Sequence, residues 1–316
     1  MKTATLAALA LPLLCAAPSS VADHLYRIES GGKSRSYLVH TPPNSNAPLP
    51  TVVLLHPYDA SAAGFLGYSG LSAVADAEGF AIAAPNTAYG SLGNWNSGGE
   101  GPQTIDDVGF LGDMIDALTT QGISDPSRVY AAGMSEGGFL VYRAGCQLSG
   151  KLAAIAVVAS TETQEDYAAT PPQQVYPCVI THPVPLLHIH GLADTCVLYE
   201  GGIGSGLLPQ RRQSVPATIA HWRKRDACAA HITTTQGEGG LVCEQNACAS
   251  GAAVRLCTIA DAGHIWPGAA YFPRSVNAQC GGEGSGAIDA ASAIWSFVSQ
   301  YQLVGGTLQP APRILP

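Results

Sequence analysis

The chain has 316 residues, only 12% of them charged, and a formal net charge of −8. This length is enough to bury a substantial core, and we expect a single domain of roughly 250 residues. The acidic balance offers no basic surface for phosphate groups, so it argues against nucleic acid as a partner.

The N-terminus has the features of an export signal. Lys2 is followed by an apolar run from Leu6 to Ala17, and Ser20-Val21-Ala22 fits a cleavage site of small residues. We expect residues 1–22 to be a signal peptide and the secreted chain to begin near Asp23. No later apolar run reaches the roughly 20 residues of a transmembrane helix, so we expect no membrane partner.

Short apolar runs and helical periods alternate along the rest of the chain. They predict strands at 25–30, 34–40, 51–55, 81–85, 129–132, 153–159, 184–190 and 254–260, and helices at 71–77, 105–118, 139–146, 217–225 and 287–301. This alternation predicts an α/β fold with a mostly parallel central sheet and helices on both faces. We expect one domain over 23–304 and, because 305–316 is rich in Pro and Gly, a loosely ordered tail.

Two stretches, 86–104 and 161–183, lack this alternation. Each follows a predicted strand whose carboxyl end belongs to the rim where α/β proteins bind their ligands. We therefore expect the two stretches to shape a substrate cleft.

Eight of the nine cysteines follow the predicted signal peptide, and an even number in an exported chain predicts four disulfides. The sequence does not fix their connectivity. Our preferred pairing joins Cys146 to Cys178, Cys196 to Cys280, Cys228 to Cys257, and Cys243 to Cys248. A zinc site is the alternative use of so many cysteines, but no C-x-x-C pair is present.

The stretch Gly133-Met134-Ser135-Glu136-Gly137 lies between a predicted strand and a predicted helix. A Gly-x-Ser-x-Gly sequence at such a junction is typical of a nucleophile elbow, in which a serine stands at the apex of a strained turn. Strand and helix then approach so closely that only hydrogen fits at Gly133 and Gly137. Ser135 is the candidate nucleophile, but a chain with 36 glycines also produces this pattern by chance, so the other residues have to decide.

A serine nucleophile needs a histidine base and an acid that orients the base, in the chain order Ser, acid, His. His264 is our candidate base because it follows a predicted strand in a loop shaped by Gly and Pro, whereas its competitor His231 begins a strand-like run of threonines. Asp194 follows another predicted strand and is our candidate acid. Its competitor Asp261 lies only three residues from His264 and is better suited to capping that turn.

Two N–H groups are expected to stabilise the oxyanion that forms when a serine attacks a carbonyl. The residue after the nucleophile, Glu136, supplies one at a predicted helix N-terminus. The other is expected after the strand at 51–55, and since Pro57 has no N–H, we assign it to Tyr58. This machinery requires no cofactor.

His188 and His190 lie two residues apart on a predicted strand and therefore face the same way. Such a pair is compatible with metal ligation. No third ligand is indicated nearby, so we expect a structural role and no metal.

Five segments share the pattern of one known family. They are Leu54-Leu55-His56, Ile105 to Leu111, Arg128-Val129-Tyr130 before the elbow, His188-Ile189-His190-Gly191 with Asp194, and Gly263 to Gly268. In these segments the chain resembles the secreted esterases that include poly(3-hydroxybutyrate) depolymerase-like proteins, the LpqC group and type C feruloyl esterases. The resemblance implies an α/β-hydrolase fold, export, and a serine esterase that hydrolyses hydroxyalkanoate or feruloyl-type esters through Ser135, Asp194 and His264.

Four residues are open to two interpretations. Trp95 and Trp266 are candidates for substrate binding, with burial in the core as the alternative. Asp106 and Asp107 are acids in the first turn of a predicted helix, where the helix dipole favours them. We therefore do not assign the two aspartates to catalysis.

The chain departs from the family pattern after His56. Pro57 stands where the family has Gly, and Asp59 stands where it has a small residue. A carboxylate that faced the oxyanion would oppose it, so Asp59→Asn is expected to raise kcat if Asp59 faces the site, and to change nothing if it points outward.

The same residues are compatible with two alternative functions. The chain would be a serine peptidase if the triad cleaves peptides, or a non-catalytic binding protein if only the fold is retained. We prefer an esterase that acts as a monomer on small-molecule or polymeric ester substrates.

Overall fold

The structure is a computed structural model. It describes residues 23–46, 48–89, 93–98, 103–166, 173–205, 210–269, 280–282 and 286–312. The predicted signal peptide at 1–22 lies outside the described residues.

Ten of the strands in the described ranges form one sheet. They are β1 (His24–Ser30), β2 (Lys33–His40), β3 (Leu49–Leu55), β4 (Ala81–Pro85), β5 (Ser124–Met134), β6 (Ala154–Val158), β9 (Leu186–Gly191), β12 (Thr233–Gln236), β13 (Leu241–Ala247) and β14 (Ala253–Ile259). Three small pairs join β7 (Glu165–Asp166) to β8 (Gln173–Gln174), β10 (Gly202–Ile203) to β11 (Arg211–Arg212), and β15 (Tyr301–Val304) to β16 (Thr307–Pro310).

The large sheet has the strand order β1-β2-β4-β3-β5-β6-β9-β14-β13-β12. The central run from β4 to β14 is parallel throughout, and an antiparallel hairpin extends the sheet at each edge. Because the central strands are parallel, the loops after β3, β5, β9 and β14 all leave from the same edge. We call this edge the carboxyl edge.

Helices cover both faces of the sheet, as the alternation of elements predicts. They are α1 (Ala62–Ser69), α2 (Leu71–Glu78), α3 (Asp107–Thr120), α4 (Glu136–Gln147), α5 (Val215–Arg225) and α6 (Ala290–Val298). Apolar residues of α1, α2 and α6 pack on one face with Val52 and Leu54 of β3, and those of α3, α4 and α5 pack on the other with Val53 and Leu55. Side chains of alternating direction on one buried strand thus enter two separate cores.

The four disulfides correct half of the preferred pairing. Cys146–Cys178 and Cys196–Cys280 are confirmed, whereas the other four cysteines pair as Cys228–Cys248 and Cys243–Cys257. Cys243 and Cys257 are direct partners in the antiparallel ladder between β13 and β14. This register depends on tertiary pairing of strands, which sequence spacing does not reveal.

The end of the chain differs from the expected loose tail. Helix α6 ends at Val298, and the hairpin of β15 and β16 follows it through Pro310. The side chain of Leu308 is 3% exposed and belongs to the same core as α6. The folded domain therefore extends past residue 304, because one apolar side chain in the Pro- and Gly-rich stretch anchors it.

None of the helices in the described part of the chain combines the length and the apolar character that crossing a bilayer requires.

Asp226 is a buried carboxyl group at the C-terminal end of α5. Its side chain has no exposed surface. Oδ1 accepts a hydrogen bond from the backbone N–H of Val184 at 3.0 Å, and Oδ2 has no hydrogen-bond partner among the residues that the structure describes. Burial raises the pKa of Asp226 to about 7, although the Val184 N–H and the charge of Arg225 act in the opposite direction.

We expect Asp226→Asn to stabilise the protein at high pH. A raised pKa means that the folded state holds its proton longer than the unfolded chain, so the stability cost of Asp226 grows as the pH rises from 3.8 to about 7. The advantage of the variant in free energy of unfolding should grow between pH 5 and pH 8, by about 2–3 kcal/mol. Urea unfolding at both pH values measures it, and a difference independent of pH would contradict the assignment.

Candidate active site

Ser135 occupies a strained turn between β5 and α4. Its backbone has φ 53° and ψ −120°, a conformation that costs a residue with a side chain on the order of 1–3 kcal/mol. Two hydrogen bonds hold it: the Ser135 N–H donates to the Val158 carbonyl at 3.0 Å, and the Ser160 hydroxyl donates to the Ser135 carbonyl at 2.9 Å. The side chain remains partly exposed at the carboxyl edge.

The two glycines of the elbow are required by close backbone approach. A Cβ on Gly137 would lie 2.2 Å from the carbonyl oxygen of Leu55 on β3, and one on Gly133 would lie 2.7 Å from the Gly137 carbonyl carbon. No side chain fits at either distance. The Gly-x-Ser-x-Gly spacing therefore reflects steric need, as the sequence predicts.

His264 and Asp194 are in direct contact. The Nδ1 of His264 lies 2.7 Å from Oδ2 of Asp194, and Oδ1 of Asp194 accepts from the backbone N–H groups of Cys196 at 2.8 Å and Val197 at 2.9 Å. A carboxylate oxygen can only accept here, so Nδ1 of His264 donates and Nε2 is left as the acceptor that a general base needs.

Asp194 keeps its charge although it is buried. Burial alone would raise its pKa, but His264, His190 and the Val197 N–H together lower the pKa below its ordinary value. The acid is thus ionised and fixed in orientation. It can stabilise an imidazolium at His264.

The segment that carries His264 crosses the carboxyl edge toward Ser135. It leaves β14, yet the Trp266 backbone N–H donates to the Tyr68 hydroxyl at 3.3 Å, and the Trp266 ring meets Phe65 edge-on with centroids 5.2 Å apart. Tyr68 and Phe65 lie in α1, which follows β3. Since β3 and β14 lie on opposite sides of β5 in the sheet, the segment links the two sides of the strand that leads to Ser135. Among the described residues, no hydrogen bond joins the Ser135 hydroxyl to His264.

Backbone contacts join the loops of the acid and the base. The Ala193 N–H donates to the Ala262 carbonyl at 3.0 Å, and the Thr195 N–H donates to the Cys280 carbonyl at 3.1 Å. The disulfide Cys196–Cys280 ties the same segments covalently. Asp194 therefore lies in a loop that is fixed from two sides.

The predicted oxyanion donors flank the elbow. Glu136 is the first residue of α4, at the N-terminal end where the backbone N–H groups of a helix point outward. Tyr58 is partly exposed in the turn after β3. The left-handed conformation in this turn falls on Asp59, with φ 55° and an exposed side chain, so Pro57 does not have to adopt it.

His56 and Trp95 support this turn from below. His56 Nδ1 donates to the Pro57 carbonyl at 2.9 Å, and Trp95 Nε1 donates to the His56 carbonyl at 2.9 Å. Burial lowers the pKa of His56 to about 4, against the opposing effect of the Pro57 carbonyl, so the ring is neutral near pH 7.

The two tryptophans predicted as substrate-binding residues are core residues. Trp95 is 0% exposed and Trp266 is 1% exposed. Each fills space beneath a loop of the site instead of facing a substrate. The prediction that they bind substrate is thus wrong, and the alternative of burial in the core holds, because both rings pack on neighbouring aromatic groups.

Asp106 and Asp107 have the structural roles that the helix dipole indicates. Asp106 caps α3 by accepting from the Gly109 N–H at 2.8 Å. Asp107 pairs with Arg35 at 2.6 Å and accepts from the Asn96 N–H at 2.7 Å.

The two irregular stretches predicted to shape the cleft contact one another. The Thr163 hydroxyl donates to the Ser97 carbonyl at 2.6 Å. Glu162, beside it, is buried and pairs with Arg225 of α5 at 2.6 Å. Residues 90–92, 99–102 and 167–172 of these stretches lie outside the described residues.

His188 and His190 point the same way, but their ring nitrogens bond to protein groups. His188 contacts the Tyr142 hydroxyl and His190, and His190 contacts the Val197 carbonyl. Within the described residues, one other set of potential metal ligands converges, namely Cys146, Glu162 and Cys178. Its two cysteines form a disulfide and are not thiolate ligands.

Comparison with known proteins places this geometry in context. No family model matches the chain. Feruloyl esterase B of Piromyces equi is 31% identical over 265 residues, which cover 80% of this chain but only 42% of that protein. NocK of Nocardia uniformis subsp. tsuyamanensis, named as an esterase, is 30% identical over 267 residues, which cover 76% of this chain and 73% of that protein.

The fold is shared with solved esterase structures. The acetyl xylan esterase from Aspergillus awamori superposes with a TM-score of 0.55 at 15% identity, over 74% of this chain and 92% of that one. The protein thus has the α/β-hydrolase fold that the sequence pattern implies. Because the likeness to NocK extends over most of both sequences, the chain belongs to the esterase family that NocK and feruloyl esterase B represent.

Proposed function

We propose that the protein is a secreted serine esterase that hydrolyses carboxylic esters through an acyl-enzyme. The observation that carries the proposal is the 2.7 Å hydrogen bond between His264 and Asp194, on a segment that crosses the edge carrying the Ser135 elbow. A charged acid, an oriented imidazole and a strained, partly exposed serine are the groups that acyl transfer requires.

The reaction has two halves. Ser135 Oγ attacks the ester carbonyl while His264 Nε2 takes its proton, and the N–H groups of Glu136 and Tyr58 stabilise the oxyanion. His264 then gives the proton to the leaving alcohol. Water, deprotonated by the same imidazole, attacks the acyl-enzyme and releases the acid, so Ser135 is regenerated without a cofactor.

The substrate class follows from the relatives as a proposal. One relative is named feruloyl esterase B, which favours a feruloyl-type ester over a hydroxyalkanoate oligomer. Export is part of the same proposal, because four disulfides fit an oxidising compartment.

Ser135→Ala should lower kcat on an aryl ester by on the order of a millionfold, because it removes the nucleophile. Circular dichroism should show an intact fold, and a fluorophosphonate probe should label the wild type but not the variant. Ser127→Ala, a serine on the amino half of the same strand, is the matched control and should keep full activity. Turnover retained without Ser135 would contradict the mechanism, and a wild type that resists the probe would favour a non-catalytic binding protein.

Removal of the Cys196–Cys280 disulfide should lower kcat more than removal of Cys243–Cys257. The first bond fixes the Asp194 loop, and loss of positioning costs about tenfold or more in rate. The second joins β13 to β14 and does not hold the Asp194 loop, so the double Cys→Ala variant should lose about 2–4 kcal/mol of stability with kcat kept. Equal kcat values in the two folded variants would refute this role.

Methyl ferulate, p-nitrophenyl butyrate and hydroxybutyrate oligomers should be compared in parallel. We expect the highest kcat/KM for methyl ferulate among the non-activated esters. A preference for the oligomers would reassign the substrate to hydroxyalkanoates while leaving the serine mechanism in place.

A further inference from the structure

A chain of buried hydrogen bonds runs from α4 to the acid of the triad. The Tyr142 hydroxyl lies 2.6 Å from His188 Nδ1, His188 Nε2 lies 3.1 Å from His190 Nδ1, and His190 Nε2 lies 2.8 Å from the Val197 carbonyl oxygen. The Tyr142 and His188 side chains are 0% exposed, and that of His190 is 1% exposed. The mechanism above uses none of these three side chains.

The direction of every bond in this chain can be assigned. A carbonyl oxygen only accepts, so His190 carries its proton on Nε2, and its Nδ1 accepts from Nε2 of His188. Nδ1 of His188 must then accept from the Tyr142 hydroxyl. Burial lowers the pKa of both histidines, and His190 lowers that of His188 further. The Asp194 charge and the Val197 carbonyl raise the pKa of His190 but do not outweigh burial, so both rings are neutral.

The chain ends at both oxygens of the acid. His190 Nε2 lies 3.6 Å from Asp194 Oδ2, the oxygen that accepts from His264. Val197, whose carbonyl accepts from His190, donates its own N–H to Asp194 Oδ1 at 2.9 Å. The positive edge of the His190 ring therefore faces the carboxylate that orients the base.

We propose that Tyr142, His188 and His190 are positioning residues that act on Asp194 as a one-directional relay. Hydrogen bonds aligned in one direction polarise one another, so Tyr142 strengthens the N–H that His190 presents to Val197 and Asp194. The relay fixes the loop that carries Asp194. It also places the N–H of His190 beside the carboxylate that His264 contacts, so both rings interact with the negative charge of Asp194. This inference rests on the proposed serine esterase mechanism.

No unpaired charge competes with the relay among the described groups that bear on it. At the triad end these groups are Asp194, His264 and the Tyr199 ring, whose centroid lies 6.0 Å from that of His190. At the other end Glu162, Arg225 and Tyr176 act on Tyr142, and Glu162 and Arg225 neutralise each other in an ion pair.

The test compares His190→Leu, Tyr142→Phe and the double variant in a kinetic cycle. Without the N–H of His190, the charge of Asp194 acts on His264 alone and favours its imidazolium. His190→Leu should therefore lower kcat about tenfold at little-changed KM and move the acidic limb of the kcat/KM profile to higher pH. Tyr142→Phe should change kcat and the acidic limb in the same directions but by smaller amounts. In the double variant, it should have no effect beyond that of His190→Leu.

Tyr130→Phe is the matched control, because Tyr130 is also buried and donates its hydroxyl to a backbone carbonyl, that of Tyr301, at 2.8 Å. It should leave the pH profile unchanged. Additive effects of His190→Leu and Tyr142→Phe, or an unshifted acidic limb in both, would overturn the relay. If His190→Leu does not fold, the comparison of kcat and pH profile between Tyr142→Phe and Tyr130→Phe tests the relay by itself.

Imidazole ¹⁵N NMR of the wild type tests the relay without any substrate. Both histidines should show neutral rings protonated at Nε2 near pH 7, and an Nδ1–H tautomer at either ring would refute the assigned direction. A wild type without Ser135-dependent activity would instead defeat the proposed function, and with it the kinetic role of the relay. An active wild type with unaltered relay variants would defeat the relay only.

Discussion

Contact between backbones at the carboxyl edge is the constraint on which the site depends. A Cβ at Gly137 would meet the carbonyl of Leu55, so the elbow fits only where α4 begins directly against β3. This approach holds Ser135 in its strained turn and presents the N–H of Glu136 beside the loop of Tyr58. Across the sheet, the bond from Ala193 to Ala262 joins the other two loops in the same way. Close packing of backbone segments thus determines where the side chains of the candidate site lie.

The buried charge of Asp194 is balanced entirely by local donors. Two backbone N–H groups bind one oxygen, and His264 binds the other with His190 beside it. A carboxylate without such donors would take up a proton, as the contrasting behaviour of Asp226 illustrates: one N–H reaches it, and burial dominates. The same residue type therefore orients a base at one end of the molecule and carries a pH-dependent cost at the other.

Features that short motifs and their order along the chain specify were predictable from the sequence, and features that require the strand register or the packed core were not. The elbow, the parallel strands and the acid–base pair follow from short motifs and their order. Helix α1 was missed because its two glycines weaken the helical pattern, although Ser61 caps it by accepting from the Gly64 N–H. The pairing of Cys243 with Cys257 requires the register of β13, and the burial of Trp95 and Leu308 requires the packed core.

The terminal hairpin lies on the far side of the sheet from the triad. Tyr301 at its start accepts from Tyr130, and β16 packs on the turn at 249–251, just before β14 begins. Both contacts belong to the amino ends of the central strands. A linker or binding module fused after Pro310 would therefore emerge opposite the proposed active site, and would tether the protein to a solid substrate without blocking access to that site.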